Sequence, residues 1–338
     1  MSKNKRTNET GKRLETSFRE LKPLYSKAEA AMEAHRCLYC FDAPCIKACP
    51  AEIDIPAFIK KIATGNIRGS AKKILEPNLL GLSTGHVCPV EELCAGACVY
   101  NDYNDRPINI GRLQRYSVVK AVELENHNGR IMFKPKPLGN RKAALIGGGP
   151  ASLACAAYLR LAGVKVTIYE KNSQAGGLNI TGIAPYKMQV TDAMREIEWL
   201  LNLGLDIKTG IEIEAGHISK LSKENDAVFI GVGLGNDNIV NIPGENNPGV
   251  WGAVDLISKI KTEADFKLPE FLKKVIVIGG GNTAIDIARE LAVLGVNKVD
   301  ILYRRTKHEM RAYVHEFEGA KKYGVRLIEN QKPLEISP

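Results

Sequence analysis

The stretch KAALIGGGPASLACAAYLRLAGVKVTIYE, residues 142–170, reads as a strand, a glycine turn, a helix and a second strand. Lys142–Ile146 is a short apolar run, Ala151–Ala162 is alanine-rich, and Lys165–Tyr169 is again strand-like. Between the first two lies Gly147-Gly148-Gly149-Pro150-Ala151-Ser152. Glycines here let the backbone approach a pyrophosphate, and the helix N-terminus behind them offers free N–H groups and a partial positive charge. Glu170 closes the second strand 21 residues after Gly149, where a carboxylate can accept hydrogen bonds from an adenosine ribose. Ser152 stands where a third glycine is usual, which implies slightly looser helix–strand packing.

The same unit recurs about 130 residues on. Lys274–Ile278 is apolar, Gly279-Gly280-Gly281-Asn282-Thr283-Ala284 is the turn, Thr283–Leu294 the helix and Lys298–Tyr303 the next strand. Two such units argue for two doubly wound nucleotide-binding domains. The second unit has no acid at its strand end, which instead reads Tyr303-Arg304-Arg305. Arginines there suit a 2′-phosphate and so favour NADP over NAD. A solvated basic strand end is the alternative.

Upstream the chain changes character. Seven of its eight cysteines lie between residues 37 and 98, in a region that reads as helical, with candidates at Ser26–Cys40, Pro56–Thr64 and Ile67–Leu75. Phe133–Arg141, with two prolines and a glycine, reads as a linker. The cysteines form Cys37-x2-Cys40-x4-Cys45-x3-Cys49-Pro50 and Cys88-x5-Cys94-x3-Cys98. Closely spaced thiolates bind soft metals, and a cysteine just before a proline, here Cys49, crosses to a second cluster in ferredoxin loops. Two clusters need eight ligands, and this region supplies seven cysteines. A zinc site is the alternative, but zinc favours paired C-x2-C knuckles, and only one is present. Cys155, inside the first nucleotide-binding helix, reads as a small core residue.

Of 338 residues, 44% are hydrophobic and 25% charged, a globular composition long enough for two or three domains. The net charge of +9 comes from scattered lysines and arginines with no aromatic interleaving, so a nucleic-acid partner is not indicated. The basic opening MSKNKRTNETGKR leads into no apolar core, and no run of 18 apolar residues follows, so neither a secretory signal nor a membrane span is expected. The cysteines then belong to a reducing compartment, the cytoplasm.

The order of motifs is a cysteine-rich region, GGGPAS, YEK, AGGL, then VIVIGGGNTAIDIAR and YRR. It resembles the flavin subunit of bacterial dihydropyrimidine dehydrogenase, the matching part of the long eukaryotic enzyme, and the small subunit of glutamate synthase. The resemblance runs from about residue 20 to 330. It implies an α/β chain. An N-terminal α-helical two-cluster iron–sulfur domain spans residues 1–138. Two Rossmann-like domains follow, binding FAD (residues 139–237, first part) and NAD(P)H (238–338, incomplete).

The resemblance also implies ligands. One four-iron cluster takes Cys37, Cys40, Cys45 and Cys98. The other takes Cys49, Cys88, Cys94 and the side-chain oxygen of Gln114, where glutamate synthase-like members typically carry a glutamate. On the residues alone Gln114 reads as an ordinary helix-surface position. Flavin contacts carry over to Gly147, Gly148, Gly149, Pro150, Ala151, Glu170, Lys171, Gly177, Leu178 and Lys187, the last standing where an arginine is usual. Nicotinamide contacts carry over to Gly280, Gly281, Asn282, Thr283, Arg304, Arg305 and Arg311.

The activity implied is oxidation of NADPH or NADH. Electrons pass through FAD and two 4Fe-4S clusters to an FMN- and iron–sulfur-containing partner subunit that reduces pyrimidines. A glutamate synthase small subunit or a ferredoxin–NADP reductase-like subunit is the alternative enzyme, and a structural zinc protein the alternative outside catalysis. No residue is assigned as an acid or base, because hydride transfer between two rings needs alignment alone. No Gly-Asp dipeptide follows the second glycine turn, so the expectation is a fragment that lacks the flavin domain's return segment and holds FAD weakly.

Overall fold

The computed structural model describes residues 13–129, 131–235 and 237–337, which leaves all of MSKNKRTNETGKR except Arg13, and the final Pro338, outside it. Six helices come first: α1 (Lys27–His35), α2 (Pro44–Lys47), α3 (Ile55–Ala63), α4 (Ile67–Leu75), α5 (Gly81–Val87) and α6 (Ile110–Asn128). Then follow β1 (Lys142–Ile146), α7 (Pro150–Leu161), β2 (Lys165–Glu170), α8 (Leu178–Thr181), α9 (Val190–Leu201), β3 (Asp206–Thr209), α10 (Ala215–Glu224) and β4 (Ala227–Ile230). The chain continues through α11 (Ala253–Thr262), β5 (Lys274–Ile278), α12 (Asn282–Val293), β6 (Lys298–Leu302), α13 (Val314–Lys321) and β7 (Arg326–Ile328). The architecture is α/β, helical first and Rossmann-like after. These elements form two compact units.

One unit comprises Glu20–Asn179 and Val190–Gly233. Three of its helices, α1, α3 and α4, start at residues that cap them locally. Ser26 and Glu29 form a capping box at α1, Asp54 caps α3, and Asn66 caps α4. α1 is shorter than the expected Ser26–Cys40. Its end is taken apart by other partners: Tyr100 Oη donates to the Arg36 carbonyl at 2.7 Å, and Tyr39 sits at φ 52°. Cys37 and Cys40 therefore lie on a loop. α6, the longest helix, was hidden from periodicity because Gln114, Arg115 and Ser117 are buried along with its apolar residues. The two terminal nitrogens of Arg115 donate to Glu20 at 2.6 Å and to the Lys22 carbonyl at 2.9 Å.

The sheet of this unit is parallel, in the order β3-β2-β1-β4, with Ile146 opposite both Tyr169 and Ile230. A parallel sheet carries its ligand site outside the carboxyl ends of its strands. Here those ends lead into the first glycine turn.

The other unit comprises Ile180–Gln189 and Leu234 onward, together with residues 13–19. Its parallel sheet has the order β5-β6-β7. Ile257, Ile260, Ile285, Ala288 and Ile301 make its core, joined by Phe18, Ala184 and Tyr186 from the two distant segments.

Candidate redox cofactor sites

Cys37, Cys40, Cys45 and Cys98 line one apolar pocket with Ile59, Ile108 and Ile110. The loop after α1 brings in the first two, α2 carries Cys45, and Cys98 arrives from the chain before α6. Burial pushes the Cys45 thiol up to about 12, and neighbouring Cys37 and Cys98 push the same way. Cys49, Cys88 and Cys94 form a second group. Burial pushes Cys94 up to about 12, with Cys49 and Cys88 adding to it. Cys88 is raised by burial and then by Cys49. Cys37, Cys45, Cys88 and Cys94 are all pushed toward the neutral thiol, first by burial, and a cationic core would let them bind as thiolates.

Among the described residues, Glu20, His86 and Asp192 bring three metal-type ligand atoms within 4.8 Å of one another. The Glu20 group has Arg115 in its midst, 2.6 Å from Glu20 and 3.8 Å from Asp192, and is an ion-pair network.

Gln114 is buried on α6, not on a helix surface, because α5 packs across it. Its Nε2 donates to the Gly81 carbonyl and to Thr84 Oγ1, both at 2.8 Å. A carbonyl can only accept, so the amide nitrogen must face α5 and the amide oxygen must point away from it. The other end of α5 carries Cys88.

At the first glycine turn Gly147 has φ 90°, and a Cβ there would lie 2.5 Å from the Gly231 carbonyl. Gly148 N–H donates to Glu170 Oε2 at 2.6 Å, and Asn172 N–H to Oε1 at 2.8 Å. Glu170 thus braces the turn from the end of β2. Gly176 N–H donates to the Gly148 carbonyl at 2.8 Å, which lays the Gly177 backbone against Gly149. Leu178 is half exposed beside it, and Lys171 is exposed. Pro150 opens α7 with Gly149 as a cap that has no side chain, so the Ala151 and Ser152 amides are free of helical partners. This cradle of bare backbone fits the phosphates of a dinucleotide. The looser packing expected at Ser152 does not arise: it is fully buried, and facing Gly231 leaves room for its hydroxyl.

At the second turn a Cβ on Gly280 would strike the Tyr303 ring, while one on Gly281 would meet open space. The Gly280 carbonyl accepts from Arg311 N–H and Ala312 N–H, at 3.1 and 3.0 Å. Asn282 Oδ1 accepts from Tyr313 N–H at 2.9 Å. These bonds fold residues 311–313 back over the turn. Thr283, Arg304, Arg305 and Arg311 are exposed there, and Arg305 lies 3.9 Å from Glu309.

Lys187 belongs to this same unit, where its ammonium lies 2.8 Å from both Asp286 and Glu316. Burial alone would lower it, but the two carboxylates outweigh that and hold it above its usual range. Tyr186 Oη donates to Asp286 at 2.5 Å. Replacing Lys187 with methionine strands two buried carboxyls and should cost this unit about 3–5 kcal/mol. Calorimetry of the variant would check this; an unchanged melting temperature would mean that the pairs contribute nothing.

One further group escapes sequence reasoning. Glu196 on α9 is buried and accepts from Leu82 N–H and Ser83 N–H at 2.9 and 3.1 Å, and from the Ser83 hydroxyl. A glutamate on an amphipathic helix reads as solvent-facing until its neighbours are known.

Residues 13–126 match the family model described as dihydropyrimidine dehydrogenase domain II, 4Fe-4S cluster, and residues 141–338 that of pyridine nucleotide-disulphide oxidoreductases. The NAD-dependent dihydropyrimidine dehydrogenase subunit PreT of Escherichia coli K12 is 36% identical over 321 residues, 94% of this chain and 75% of that one. The Salmonella typhimurium protein of the same name is 34% identical over 320 residues, with the same coverage of 94% and 75%. Among solved structures, 2-naphthoyl-CoA reductase in complex with 2-naphthoyl-CoA aligns with a TM-score of 0.50 at 20% identity, over 82% of this chain and 41% of that one, a likeness of fold alone. Thiol nests, glycine turns and these matches agree in order along the chain, which belongs to the family of the dihydropyrimidine dehydrogenase subunit PreT and is an oxidoreductase.

Proposed function

We propose that the chain is the electron-input subunit of a cytoplasmic dihydropyrimidine dehydrogenase. It oxidises NADH or NADPH and passes the electrons to a separate partner, containing FMN and iron–sulfur clusters, that reduces uracil or thymine to the dihydro form. The observation that carries this is the pair of clustered cysteine sets on the same chain as two bare glycine turns. Cys37, Cys40, Cys45 and Cys98 hold one 4Fe-4S cluster, and Cys49, Cys88, Cys94 and Gln114 the other. Gly147–Ala151, braced by Glu170, hold the phosphates of FAD, with Lys171, Gly177 and Leu178 beside them. Gly280–Thr283 and the three arginines hold the nicotinamide nucleotide. A flavin held there would supply two-electron chemistry toward the nicotinamide and one-electron chemistry toward the clusters. The chain's own part is alignment and exclusion of water, with no acid or base.

Anaerobic purification with the cognate partner should give NAD(P)H-driven uracil reduction. Glutamine-dependent glutamate formation with that partner, and no uracil reduction, would overturn the proposal.

The relatives' name supplies NADH. The exposed arginines supply a reason for NADPH to be accepted as well, since guanidinium–phosphate bonds are charge-assisted. Arg304→Ala combined with Arg311→Ala should raise the KM for NADPH about tenfold, equivalent to about 1.4 kcal/mol, and leave that for NADH within about twofold. Steady-state kinetics with both coenzymes would check it. Equal losses for the two would show that these arginines do not read the 2′-phosphate.

A further inference from the structure

The segment that carries Gly176 and Gly177 continues into Asn179, whose backbone N–H donates to the Gly176 carbonyl at 3.2 Å. Asn179 Nδ2 donates to Ser83 Oγ at 3.0 Å, and Ser83 Oγ in turn donates to Glu196 Oε2. The other oxygen of Glu196 takes the Leu82 and Ser83 amides. These are two of the first free N–H groups of α5, and Leu80, at the cap position, has no side chain able to serve them. Glu196 therefore caps α5 from another helix.

The same turn of α5 is gripped from its other side. Gln114 Nε2 holds the Gly81 carbonyl and Thr84 Oγ1, and Asn78 Nδ2 also donates to Thr84 Oγ1 at 2.8 Å. One turn of helix, residues 81–84, is thus bonded to the glycine segment through Asn179 and to a proposed cluster ligand through Gln114. Cys88 lies one turn further on. All of these residues belong to one compact unit.

A buried carboxyl is a costly way to cap a helix. Burial pushes Glu196 up to about 7 even though Ser83 and Leu82 hydrogen bonds oppose it. An apolar residue would suit packing better, so the geometry of the bonds is what this carboxyl contributes.

We infer that Glu196 is a positioning residue for electron transfer: through Ser83 it locks the 176–179 segment to α5, and so sets the flavin side against Cys88 and Gln114. This rests on the function proposed above. Ser83→Ala removes the link to Asn179 and keeps both backbone caps. Glu196→Gln keeps an oxygen for the amides but turns an N–H₂ toward Ser83, whose hydroxyl then meets two donors.

Both variants would be studied in the full chain, anaerobically, by stopped-flow and by electron paramagnetic resonance. The expected result is iron and flavin content as in wild type, and NADH-driven flavin reduction within twofold. Flavin-to-cluster transfer should be at least tenfold slower, with an altered signal from the reduced cluster. A merely structural role would lower content and both rates together, and would overturn the inference. So would wild-type transfer rates in variants with full iron and flavin, and Ser83→Ala decides this even if Glu196→Gln fails to fold. Wild-type protein with neither iron nor flavin would overturn the proposed function itself, and this inference with it.

Discussion

Cys45→Ser should lower the iron content from about eight atoms per chain, as two four-iron clusters imply, to about four or fewer. Cys45 lies in α2 and shares its pocket with Cys37, Cys40 and Cys98. A serine hydroxyl is a harder ligand with a far higher pKa, and iron–sulfur cores are held by soft thiolate. Three thiols would then remain in an apolar pocket without the group proposed to bind them. The damage should spread. Cys49 follows α2, four residues after Cys45, and lies against Cys88 and Cys94. On the proposed ligand sets, loss of one cluster frees a segment that also anchors the other, and the six-helix region should melt earlier. Iron and sulfide analysis, with visible absorbance and calorimetry, measures both effects. A variant that still holds about eight irons would show that Cys45 is not a ligand.

Gly147→Ala should remove the flavin and leave the iron. Gly147 has φ 90°, and an added methyl would lie 2.5 Å from the Gly231 carbonyl and 3.1 Å from Val232 Cα. The obstacle is backbone, not a flexible side chain. Nor can it swing aside, because Gly231 N–H donates to the Ile146 carbonyl at 2.8 Å and β4 is paired along β1. Left-handed strain and the clash together are worth on the order of 3 kcal/mol or more. The chain can relieve them only by opening the turn proposed to cradle the phosphates. Flavin occupancy should fall at least tenfold, equivalent to about 1.4 kcal/mol of binding. The cysteine sets lie elsewhere in the sequence, within residues 37–98, and should keep their metal. Gly149→Ala is the contrast. An added Cβ there has its nearest neighbour at 4.0 Å, so the sheet should hold its wild-type melting temperature. Flavin release and quantitation against iron would separate the cases. Gly147→Ala with wild-type flavin stoichiometry would mean that this turn is not where the dinucleotide lies.

What the sequence alone determined is local. β1 and β5 begin and end at the residues expected, α4 spans Ile67–Leu75 as read, and both glycine turns stand between strand and helix. Short-range rules decide such features: apolar runs favour strands, side-chain oxygens cap helices, and glycine alone takes φ near 90° without strain. The cysteine spacings are local in the same sense.

The tertiary structure decided the rest. α1 stops at His35 because Tyr100, 64 positions away, takes the Arg36 carbonyl. α6 escaped periodicity because partners on other elements make it favourable to bury Gln114 and Arg115. Residues 180–189 join the far unit because Lys187 meets its counter-charges on α12 and α13. Glu196 looks like any surface glutamate until α5 places two unpaired amides and a hydroxyl against it. In each case a polar group is buried, and burying one is favourable only when a partner waits there. Whether one waits depends on residues many positions away in the chain, which no window of sequence contains.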